Sequence, residues 1–325
     1  MSVPSAPRPS PSSARSLLGT GQGSREERPD SEEWRTDSLA RSRHSRLAAE
    51  ISPPADDFDE EKAAALCADI TRNLLGDFAP ALLLLPRTER RRAQTILAYA
   101  STLFDFARQR GVEGERLAQI NRWEFTLEAA LAGQPVGQPI FLRMAQENAR
   151  RRWPVDALDE LAAGARRRAT RRQPATVAEA DALSLGRAVA GALLEKGLNA
   201  EIDGLASALV RLGSLQRLGD EVDRGRCPLP ASEVAEGEDG RFAPLPLLEA
   251  ARRECQRLRS RLLRAPRGLA DLPASYRRAA VFCLLAALRL LTEIEDAGTD
   301  LLRAPPHLGL GTRLGFLLRA RWAGR

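Results

Sequence analysis

Histidine, lysine, tyrosine and methionine are nearly missing from this chain of 325 residues, with two of each. His44 lies in a polar tail and His307 in a Pro/Gly-containing loop, so a histidine-rich zinc site and a nucleophile paired with a histidine base both lack their residues. Cysteine is sparse too. Cys67, Cys227, Cys255 and Cys283 show no CxxC spacing, which implies reduced, mostly buried thiols and neither a metal site nor a disulfide framework. Aromatic residues make up 5% of the chain and strand formers are scarce, whereas Ala, Leu, Glu and Arg are abundant and favour helix. The longest apolar run, from Ala279 to Leu288, is flanked by Arg277, Arg278 and Arg289 and falls well short of the ~20 residues that a bilayer span needs.

The formal charge of +6 is carried by arginine, since Lys62 and Lys196 are the only lysines. A skew of this kind resembles coding bias, which weakens any inference from basicity to nucleic acid. Residues 1–57 are rich in Ser, Pro, Arg, Glu and Gly, with too few apolar residues to offset the entropy of ordering. They are expected to form a disordered extension. They have neither the apolar core of a secretory signal nor the acid-poor composition of a transit peptide. Residues 58–325 are expected to be one helical domain, cytoplasmic or peripheral to a membrane, with no transmembrane helix.

Several helices follow from apolar periodicity. One begins near Phe58 and buries Ala63, Leu66, Cys67, Ile70 and Leu74. Others run over Arg91–Arg110, Leu117–Gly133 and Leu247–Leu263, the last with Leu248, Ala251, Cys255, Leu258 and Leu262 on one side. Ala274–Ala297 is apolar on nearly every side and belongs at the centre of a bundle. Leu308–Trp322 is a short basic helix. From Asp203, Leu205, Leu209, Leu212, Leu215 and Leu218 recur at three- and four-residue steps before a turn, Asp223-Arg224-Gly225-Arg226, that closes on Leu229-Pro230.

That last stretch resembles the second aspartate-rich region of the squalene/phytoene synthase family, roughly NxxRDxxxDxxRGRxYLP. Gly219, Arg224, Gly225, Arg226, Leu229 and Pro230 match, while Gly213 stands for the Asn, Gln216 for the Arg, Arg217 for the first Asp and Glu221 for the second. The segment from Asp77 through Pro86-Arg87 resembles the family's approach to its first aspartate-rich helix, YAFxRxxDDxxD. Asp105 falls on the first of those aspartates, Phe106 on the second and Gln109 on the third, with Thr102 in place of the Arg. Ile294 to Arg303 is similar to the family's IxxxGYDVLxxR. Without the resemblance, Asp105 is a partly buried acid that pairs with Arg108.

The resemblance implies an all-α, isoprenoid-synthase-like bundle around a central apolar cavity. It also implies head-to-head joining of two prenyl diphosphates, with Mg2+ held by facing aspartate clusters. Its metal ligands here would be Asp105, Glu221 and Asp220, and its diphosphate contacts Arg87, Arg217, Arg224 and Arg226. Three acids suffice for one Mg2+ and not for three. Arg217, one turn before Glu221, is also expected to form a helical ion pair with it. Two readings result. In one, the chain has lost prenyl transfer and binds a prenyl diphosphate or isoprenoid lipid as the partner of an intact squalene/phytoene synthase paralogue. In the other, arginines supplement a single Mg2+ in an active prenyltransferase. A third, an Arg-rich helical module for nucleic acid centred on Arg166–Arg172, has the least support.

Overall fold

The computed structural model describes residues 60–109, 111–170, 179–194, 199–223, 227–230, 233–234 and 242–323. The expected disordered extension over residues 1–57 lies outside these. Among the described residues the regular elements are all helical. Helix α1 (Glu60–Leu75) carries Glu60 and Glu61 in its first turn, where acids complement the helix dipole, and buries Ala63 and Cys67. It ends at Gly76, whose φ of +51° lets the chain turn into a 3-10 helix (Gly76–Leu84) containing Pro80. This is the apolar stretch before Pro86, and α2 (Arg87–Arg108) starts immediately after that proline.

Helices α3 (Glu113–Leu131), α4 (Pro139–Arg150), α5 (Val155–Ala169) and α6 (Glu179–Leu193) pack with α2 around one apolar core. Its centre is aromatic. Tyr99 and Trp123 lie 6.1 Å apart between ring centroids, and Trp123 and Phe141 lie 4.4 Å apart. A second core is shared by the 3-10 helix, α7 (Ala200–Gln216), α9 (Pro244–Leu262), α11 (Ala274–Ala297) and α12 (Leu310–Trp322). The short helices α8 (Leu218–Asp223) and α10 (Pro266–Leu269) border it. As expected, α11 is central: Phe282, Ala286, Ala287, Leu290 and Leu291 are fully enclosed. Each enclosed Leu or Phe contributes about 1.5–3 kcal/mol relative to exposure. The periodic face from Leu205 to Leu218 is likewise buried, with Leu209 partly so.

One charged side chain joins three helices of the first core. Arg92, 3% exposed, donates from Nε to Ala192 O (3.3 Å), from Nη1 to Glu147 O (3.3 Å) and Arg151 O (2.7 Å), and from Nη2 to Arg152 O (3.1 Å). Its guanidinium also lies 3.6 Å from the centre of the Trp153 ring, a cation–π contact. Burial lowers its pKa to about 10, so it stays protonated at neutral pH. In the second core, Arg211 and Glu254 form a buried ion pair between α7 and α9. The cysteines follow expectation. Cys67, Cys227 and Cys255 are buried, and Cys283 is partly so.

Candidate functional site

The C-terminal half of α2 and the junction of α7 with α8 carry the charged residues that the resemblance assigns to a cleft. Helix α7 starts at Asn199, whose side chain accepts from Ile202 N at 2.9 Å and caps it. It stops at Gln216, one residue before Arg217, although the apolar rhythm continues through Leu218. The backbone just beyond the break is tightly packed. Gly219 lies beneath the backbone of Leu302, and a Cβ there would be 2.2 Å from Leu302 O. The family-like glycine is therefore needed for close approach.

Arg217, half-buried at the C-cap of α7, has its pKa lowered first by burial and then by the nearby Arg108. Glu221, Asp105 and Asp220 act on it in the opposite direction. Those charges, from α2 and from α8, all act on Arg217. Asp105 is more open than expected, with its side chain 54% exposed, and it pairs with Arg108 at 2.7 Å. Asp220 is exposed, whereas Glu221 is 9% exposed. The expected Arg217–Glu221 ion pair is not closed. Arg217 Nε instead donates to Gly213 O at 3.1 Å, back along α7.

Among the described residues no three His, Cys, Asp or Glu side chains converge in a way that could hold a metal ion. Asp105 is engaged by Arg108, Phe106 and Gln109 supply no carboxylate, and a guanidinium occupies the position of the facing acid. The residues present do not fit a cluster of Mg2+ ions. Arg87 does not belong to the cleft either. It is exposed at the first position of α2, 18 residues and about 27 Å along the helix from Asp105. Arg224 and Arg226 lie outside the described residues.

Sequence reading missed Asp77. This acid, 3% exposed in the 3-10 helix, accepts from Gln216 Nε2 (3.1 Å) and Leu308 N (3.2 Å) and lies 3.3 Å from His307 Nδ1. Arg313 Nη1 of α12 is 3.6 Å away. The carboxylate thus fixes the residue before Arg217 to the loop that leads into α12. Behind the cleft, Cys283 on α11 is deep enough that burial alone raises its thiol to about 12, yet its neighbours enclose it only partly. Of the Arg166–Arg172 cluster, the arginines among the described residues are engaged within the chain. Arg166 pairs with Glu124 and donates to Asn121 Oδ1 at 3.1 Å, Arg167 pairs with Glu160 at 3.2 Å, and Arg168 is 8% exposed.

The squalene/phytoene synthase family model matches residues 76–312. No individually curated protein matches the chain by sequence. The fold is shared with a crystal structure of a dehydrosqualene synthase in complex with ligand, at a TM-score of 0.67 and 15% identity over 81% of this chain and 97% of that one. It is also shared with the squalene synthase HpnC from Alicyclobacillus acidocaldarius, at 0.56 and 19% over 76% and 97%. A third similar structure, the complex of TcSQS with a ligand, gives 0.58 and 12% over 80% and 86%. The match from Gly76 to Thr312 takes in the approach to α2, the cleft, the turn after α8 and the exit of α11, and the chain belongs to the squalene/phytoene synthase family.

Proposed function

We propose that this protein binds a prenyl diphosphate or isoprenoid lipid in the bundle without joining two prenyl chains, and that it acts beside an intact squalene/phytoene synthase. The observation that carries the reading is Arg217. A half-buried guanidinium replaces the carboxylate that should face Asp105 across the cleft, and Asp105 is held by Arg108. Ionising a prenyl diphosphate requires several negative charges to be neutralised at once, which a cluster of Mg2+ ions does well. Arg217 repels such ions. It can still contact a diphosphate oxygen, because its hydrogen bond among the described residues uses Nε. The apolar helices of the second core, with Cys283 packed against it, offer the chemistry that an apolar prenyl tail would need.

The test is titration of the purified full chain with farnesyl and geranylgeranyl diphosphate, in Mg2+ and in EDTA, alongside a pyrophosphate-release assay. Saturable binding that is the same in both buffers, with no pyrophosphate above background, is expected. Mg2+-dependent turnover abolished by Asp105→Ala or Glu221→Ala would instead establish an active prenyltransferase with one arginine-assisted metal. The partner role is judged separately. Pull-down from native lysate should recover an intact squalene/phytoene synthase, and a pull-down without one removes that half of the proposal.

A further inference from the structure

Helix α12 carries an apolar face turned away from the protein. Leu310 is 78% exposed, Leu314 59%, Leu318 53% and Trp322 65%. These residues recur every four positions and drift only about 40° around the axis per step, so they form one stripe along a helix about 20 Å long. The opposite side faces the second core through Ala320, which is fully buried, and through Phe316 and Leu317. Arg313 turns inward to Asp77. Arg319 and Arg321 are exposed beside the stripe, and α12 contains no acidic residue.

A stripe of leucines ending in tryptophan, with cations beside it and no acids, matches a bilayer surface with anionic headgroups. The leucines reach the acyl boundary, the indole suits the interface, and the guanidiniums meet phosphate. A protein partner for so basic a face would have to supply the acids itself, whereas a lipid surface supplies negative charge along the whole helix. Among the described residues no helix is long and apolar enough to cross a membrane, so α12 would lie in the interface plane. We infer that α12 is a lipid-docking helix that seats the protein on an anionic membrane through Leu310, Leu314 and Leu318, with Arg319 and Arg321 contacting headgroups. This inference stands apart from the reading of the cleft, since it uses none of the cleft's residues.

Flotation of the full chain on density gradients tests it, with phosphatidylcholine vesicles containing about a quarter phosphatidylglycerol and with pure phosphatidylcholine vesicles. The protein should rise with the anionic vesicles at low salt, at least about tenfold more than with neutral ones, and salt should weaken the association. The Leu314→Glu/Leu318→Glu variant, altered only on the exposed face, should lose at least about tenfold of the binding while its circular dichroism and melting are unchanged. Arg319→Glu/Arg321→Glu should remove the preference for anionic vesicles. The inference is overturned if the protein rises with neither preparation, or if the leucine variant rises as the parent does. It is equally overturned if the protein is a dimer that the leucine substitutions dissociate and that ignores vesicles, in which case a second copy covers the stripe.

Discussion

Arg92 and Arg217 are both drawn out of water, in opposite ways. Arg92 directs all three guanidinium nitrogens at four main-chain carbonyls and stacks on Trp153. Arg217 has one carbonyl, that of Gly213, and its other neighbours are the charges of Arg108, Asp105, Asp220 and Glu221. The first arginine has four of its five N–H donors committed to the main chain. The second is held in place by Nε, and among the described residues its terminal nitrogens make no hydrogen bond. Burial alone therefore does not identify a functional charge; the unused hydrogen-bonding capacity does.

Breaking the Arg92 side should cost most. Arg92→Met removes a side-chain donor from four carbonyls and the cation–π contact with Trp153, and chemical denaturation should show a loss of about 4 kcal/mol or more. Gly219→Ala comes next, since it drives a Cβ into the Leu302 backbone and must move the turn that presents Arg217. About 3 kcal/mol of stability should be lost in the same assay, and prenyl diphosphate binding should weaken with it. Arg217→Gln has the smallest effect on the fold, within about 1 kcal/mol, yet calorimetric titration should show prenyl diphosphate affinity falling about tenfold. If Arg217→Gln unfolds the protein as Arg92→Met does, the distinction between the two arginines fails.

Much of the fold was legible because its signals are local. The apolar run of α11 and the leucine rhythm of α7 are periodic in sequence, and the Asp105–Arg108 pair follows from i,i+3 spacing. The interruption at Arg217 was not legible. The close packing just beyond it involves Leu302, more than eighty residues downstream, while the local pattern continues without a break. Asp77 was hidden for the same reason: Gln216, His307, Leu308 and Arg313 are all remote in sequence and meet it only after folding. Arg87 was assigned by its place in a motif, without regard to the length of the helix that separates it from Asp105.

The location of Arg217 at the end of α7 has an energetic corollary. Aligned peptide dipoles concentrate negative potential at a helix's carboxyl end, so an acid there is uncomfortable until a cation neutralises it. A guanidinium in that position gains from the same potential, which offsets part of the burial and of the Arg108 repulsion that disfavour its charge.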